Sequence, residues 1–117
     1  MNLVKSISTF NHIDSKVIIN GHENVSAPAT ITSCLVLDEF IILLLEPTEL
    51  NANTNIYCYD IEGKLEWIVE PIIWHERNYY TSIYVLKDLH FYGYCVNGIE
   101  AKIDFKTGKI LSTELIK

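Results

Sequence analysis

Leu37-Asp38-Glu39-Phe40-Ile41-Ile42-Leu43-Leu44-Leu45, residues 37–45, is the stretch on which the fold turns. Before it, Ile31, Ser33, Leu35 and Leu37 keep a period of two, the spacing of a strand with one buried face. Asp38-Glu39 marks a tight turn. The six apolar residues that follow, Phe40 to Leu45, read as a core strand covered on both faces. A helix across residues 40–50 is the competitor, but Pro47 would interrupt it and the β-branched content disfavours it.

Outward from this strand, Glu46 to Asn55 reads as a long polar loop because it holds Pro47, Asn51, Asn53 and Asn55. Ile56 to Ile61, a turn at Glu62-Gly63 and Lys64 to Glu70 form a further strand pair, with Leu65, Trp67 and Val69 on one side and Lys64, Glu66 and Glu70 on the other. Pro71 to Tyr80 is irregular. Strands resume at Ser82 to Leu86, turn at Lys87-Asp88, and continue through Leu89 to Val96. Asn97-Gly98 suits a type I′ hairpin turn. Ile99 to Phe105 alternates, and Lys106-Thr107-Gly108 leads into Lys109 to Leu115. Upstream, Val4 to Phe10 and Lys16 to Asn20 read as a hairpin joined by the polar segment Asn11 to Ser15, with Asn20-Gly21 as a turn signal.

Composition agrees. Of 117 residues, 45 are Ile, Val, Thr, Tyr, Phe or Trp, whereas Ala occurs four times. At 49% hydrophobic and 21% charged, the chain reads as one folded domain with no disordered tail. The expected fold is all-β: antiparallel meanders forming a β-sandwich or a twisted open sheet. The expected segments are an N-terminal hairpin in 1–27, a first meander in 28–70 and a second in 71–117.

The two meanders share a plan. Leu37-Asp38-Glu39-Phe40 matches Leu86-Lys87-Asp88-Leu89, and Asp60-Ile61-Glu62-Gly63-Lys64-Leu65 matches 104–110 with one more residue in the turn. With Asp104, Thr107, Gly108 and Lys109 in one copy, and Asp60, Gly63, Lys64 and Trp67 in the other, the repeat resembles the blades of quinoprotein-like β-propellers. Ser112 stands where that pattern has Trp. The resemblance implies a structural role for the motif: Asp closes the turn, Gly takes the positive φ and Trp covers the core. A propeller closes with about 4 to 8 blades, so two blades and a hairpin are expected to pack face to face, and no cofactor or active site is carried over.

Charge narrows the function. Fifteen acids against nine bases give −6, and Arg77 is the single Arg, which disfavours nucleic acid as a partner. The start MNLVKSISTF lacks the apolar core of a signal peptide, and Phe40 to Leu45 is far shorter than a membrane span of about 20 residues. These features set the expectation of a cytoplasmic protein, or one exported by a route that leaves no leader, with no membrane partner. Cys34, Cys58 and Cys95 are odd in number, widely spaced and flanked by apolar residues, so they read as buried free thiols and not as a zinc site or a disulfide frame. His12, His22, His75 and His90 form no metal-binding pair at short spacing. No catalytic residue, metal or cofactor is expected.

Residues 38–76 carry nine acids and Lys64 alone among bases, a local charge of −8. A one-signed field of this kind speeds the approach of a basic partner. Pro71 to Tyr80 adds Trp74, His75, Arg77, Tyr79 and Tyr80, and Trp, Tyr and Arg are the residue types enriched at binding hot spots. The expected function is a non-enzymatic module that binds a basic protein through Glu46, Glu49, Glu62, Glu66, Glu70, Trp74, Glu76, Arg77 and Tyr79. In size and charge it resembles the small bacterial immunity proteins that neutralise toxins. Two rivals stand beside it: a ligand-binding or enzymatic β-sandwich with a pocket near His75 and His90, and a structural protein that assembles as a homo-oligomer through β edges.

Overall fold

The computed structural model describes residues 10–72 and 78–116. It contains three antiparallel sheets. The first holds β1 (Phe10–Ile13), β2 (Lys16–Ile19) and β3 (His22–Ser26); the middle sheet holds β4 (Ile31–Leu37), β5 (Phe40–Leu45), β6 (Ile56–Asp60) and β7 (Leu65–Ile68). The last holds β8 (Tyr80–Val85), β9 (Phe91–Cys95), β10 (Ile99–Ile103) and β11 (Ile110–Leu115). Within each sheet, consecutive strands are neighbours, so both four-stranded units are meanders.

The sheets stack face to face, and β5 explains why. Ile41, Leu43 and Leu45 pack with Val17, Val25 and Ala27 of the first sheet and the segment after it. Ile42 and Leu44 point the other way and pack with Ile83, Phe91, Ile99, Ala101 and Ile103 of the last sheet. A strand with two apolar faces has to lie between two layers, and all five residues from Ile41 to Leu45 are buried.

The sheets are also tied at their ends. Buried Asn55 donates through Nδ2 to the carbonyls of Leu45 (3.0 Å) and Tyr80 (2.8 Å), and its Oδ1 accepts from Tyr80 N–H at 2.8 Å. One amide thereby joins the middle sheet to the first strand of the last. At the outer edge, Trp67 Nε1 donates to the Phe105 carbonyl at 2.8 Å, and Ile110 N–H donates to Glu70 Oε1 at 2.7 Å. Asn24 Nδ2 donates to the Ile61 carbonyl at 2.6 Å, which ties β3 to the β6–β7 turn.

Two glycines make these contacts sterically possible. Gly63 (φ +87°) and Gly108 (φ +77°) hold left-handed conformations in the turns before β7 and β11. A Cβ on Gly63 would lie 2.2 Å from the Asn24 carbonyl oxygen, and one on Gly108 would lie 2.5 Å from the Trp67 ring. Each Asp-to-Gly turn therefore nests on the last strand of the preceding sheet. A register shift recurs in the last strand pair of all three sheets, at Val17/Ile18, Cys58/Tyr59 and Lys102/Ile103. Such bulges increase local twist.

The N-terminal segment departs from expectation. Phe10–Ile13 is a strand where a polar connection was expected over Asn11 to Ser15, because Asp14, at φ 53°, makes the reversal within two residues. His22–Ser26 adds a third strand, so the unit is a three-stranded sheet and not a hairpin. The strand expected from Val4 lies outside the described residues, apart from Phe10. The loop after β5 contains one helical turn, α1 (Pro47–Leu50), with Pro47 in its opening turn, where its missing N–H costs nothing. Among the described residues, no helix is long and apolar enough to cross a membrane.

Candidate functional site

With both faces of the middle sheet covered, its charged residues are left to its ends and its outer edge. The β4–β5 and β6–β7 turns lie at the same end, because the strands alternate in direction. There Asp38, Glu39, Asp60, Glu62 and Glu66 line one groove of about 430 Å³ with Phe40, Ile61 and Lys106. Five carboxylates thus face a single ammonium. The Phe40 ring meets Phe105 edge to face at 5.8 Å between centroids, and Lys106 Nζ lies 5.9 Å from the Phe105 ring centre.

The groove is held by backbone. Asp60 Oδ1 accepts from the N–H groups of Glu62 and Lys64, both at 2.9 Å, and the Asp60 carbonyl accepts from Gly63 N–H at 3.0 Å. Glu62 and Glu66 are exposed and free to reorient. Among the described residues, no cluster of three or more His, Cys, Asp or Glu could hold a metal ion.

The residues nominated from sequence do not gather at one place. Glu62 and Glu66 line the acidic groove. Glu46 and Glu49 lie at the other end of the middle sheet and are engaged internally: Glu46 Oε1 accepts from Thr48 Oγ1 at 2.9 Å, and Glu49 Oε1 accepts from Thr30 N–H and Oγ1 at 3.0 Å. Glu70 is committed to Ile110 N–H. Tyr79 lines a second groove of about 320 Å³ with Glu46, Thr32 and Thr81. Trp74, His75, Glu76 and Arg77 lie outside the described residues. His90 is exposed in the β8–β9 turn and belongs to neither groove.

Asp38, Glu39, Asp60, Phe40 and Lys106 line this groove and were not among the residues nominated from sequence, although both turns were legible. What sequence lacks is the fact that two turns twenty residues apart share one end of a sheet. The thiols are poor nucleophiles. Burial pushes Cys34 and Cys58 far above the usual thiol range, with Glu66 and Asp60 adding to the effect at Cys58, and Cys95 is pushed up to about 12.

Residues 7–115 match the family model described as a domain of unknown function, DUF7957, and the chain belongs to that family. No curated protein matches it. The crystal structure of the computationally designed Ika8 protein is similar at 13% identity and a TM-score of 0.40, over 95% of this chain and 49% of that one. The chain spans about half the length of that designed protein.

Proposed function

We propose that this member of the DUF7957 family is a non-enzymatic protein-binding module whose acidic groove takes Lys and Arg side chains of a basic protein partner. The observation that supports it is the groove itself: five carboxylates against one ammonium around an apolar floor that includes Phe40 and Ile61. The hydrogen-bonded turn at Asp60 to Lys64 fixes the backbone that carries these charges, and the apolar lining can cover the aliphatic stem of a bound Lys or Arg. A toxin is the specific basic partner that the protein's size and charge suggest, so neutralisation is the narrower form of the proposal.

The test is association kinetics with a partner recovered from the source cells, with Glu62→Lys and Glu66→Lys combined. The expected result is a fall in association rate of about tenfold or more at low salt, shrinking as ionic strength rises. An unchanged rate would overturn the proposal. Glu49→Lys, which alters charge at the other end of the sheet, is expected to change the rate much less.

A further inference from the structure

The outward face of the last sheet carries a feature separate from the acidic groove, since none of its residues line that groove. It occupies the same register positions as the face of the middle sheet that packs on the last sheet. Leu35 pairs with Ile42 in the middle sheet, and Tyr84 pairs with Tyr92 in the last; Leu44 pairs with Ile56, and Tyr94 pairs with Glu100. Where the middle sheet has aliphatic side chains, the last sheet has tyrosines and a charge.

Three partly buried tyrosines, Tyr84, Tyr92 and Tyr94, stand together on this face. Two are fixed. Tyr84 Oη donates to Glu100 Oε2 and Tyr92 Oη donates to Asp88 Oδ2, each at 2.5 Å, and the two rings stack with 6.1 Å between centroids and 16° between planes. Rigid tyrosines offer contact area at a low entropy cost on binding.

A second observation concerns charge. Glu100 and Glu114 are directly opposite partners on β10 and β11. Like charges in that position repel and cost stability. Lys102, on the same face, forms no ion pair among the described residues, where Lys16 with Glu23 is the ion pair found. The carboxylates are thus left with a repulsion that a bridging cation would relieve.

We infer that this face docks an arginine-rich segment of a protein partner, with guanidinium groups stacked on Tyr84, Tyr92 and Tyr94 and bridged by Glu100 and Glu114. Arg is selected over Lys because a planar guanidinium both stacks on a ring and spans two carboxylate oxygens, whereas an ammonium is a compact, strongly hydrated point charge. The inference goes beyond the groove and shares with the proposed function only the basic character of the partner.

The experiment is calorimetric titration of the full chain with a short synthetic peptide of alternating arginine and serine, and with its lysine counterpart. The arginine peptide is expected to bind several-fold more tightly. Tyr92→Ala should weaken it by about tenfold, as truncation of a hot-spot aromatic does. Glu114→Gln should weaken it while raising the melting temperature of the free protein, because it removes the repulsion, a combination that a merely structural carboxylate would not give. Glu23→Gln, on the first sheet and lining neither surface, should leave peptide affinity unchanged. Equal affinity for both peptides, indifference to Tyr92→Ala and Glu114→Gln, or absence of binding would overturn the inference; loss of binding with Glu62→Gln alone would assign the peptide to the groove and overturn it as well.

Discussion

The middle and last sheets have the same strand order and the same turn chemistry, yet equal register positions meet different surroundings. Leu44 of β5 is 3% exposed, whereas Tyr94, its counterpart on β9, is half-buried on an open face. Ile56 and Glu100 differ in the same way. Covering both faces of one layer removes its charge to the ends, and leaving one face of the next layer open lets polar and aromatic groups remain on it. The distribution of acids is therefore a consequence of stacking order, and so are the acidic groove and the open tyrosine face.

The sharpest way to break that comparison is paired truncation. Leu44→Ala should cost about 2–5 kcal/mol in urea unfolding, as for other buried Leu sites. Tyr94→Ala should cost less, about 1–2 kcal/mol, although it deletes the larger side chain, because that side chain lies on the open face and is partly in water already. Equal losses would mean that the last sheet is covered in solution.

Asn55→Ala tests the tie between the two sheets. It removes two donations and one acceptance among buried groups, and the Tyr80 N–H left unpaired should contribute most of a loss of about 2–3 kcal/mol. Gly108→Ala should follow, at about 1–3 kcal/mol, from the clash with Trp67 added to backbone strain. Gly21→Ala is its control: Gly21 has a similar φ of +81° but nothing within 4 Å of a Cβ. Its loss should be about 1 kcal/mol, the backbone cost alone. A matching loss at both sites would remove the nesting of the last sheet's turn on Trp67.

The smallest effect is the response of the open face to alkali. Donation to Asp88 and partial desolvation push the Tyr92 phenol up to about 12 from an ordinary 10.0. A pKa raised by folding stabilises the fold fully below the unfolded value, and that contribution is lost as pH rises from 10.0 through about 12. Asp88 is shifted the other way, below the usual carboxylate range, chiefly by the Tyr92 hydroxyl and also by His90 N–H. Its contribution is present above the unfolded pKa and is lost as pH falls through the folded one. Asp88→Asn should lower the Tyr92 midpoint in an ultraviolet titration; an unmoved midpoint would place the shift elsewhere.

Much of the fold was legible because its signals are local. Pro47 and the β-branched content favour a strand over a helix for the run Phe40 to Leu45, and Asn97-Gly98 and Asp60 to Lys64 specify their turns chemically. β1 and β3 were not, since Asn11, His12, His22, Glu23 and Asn24 read as loop residues when the apolar layer they border is unknown. Asn55 reads as loop for the same reason and is in fact completely buried, bonded to both sheets. For the candidate site, sequence revealed the excess of acids but not its division, because Glu46 and Glu49 look no different from Glu62 and Glu66 until Thr30 and Thr48 are seen to hold them.

The most direct test of a sealed middle sheet that gathers its free charge at one end is a nuclear magnetic resonance titration with an oligolysine peptide. Backbone shifts concentrated at residues 38–40, 60–66 and 106, weakening as salt is added, are predicted. Shifts spread evenly over the surface, or centred on Glu46 and Glu49, would contradict it.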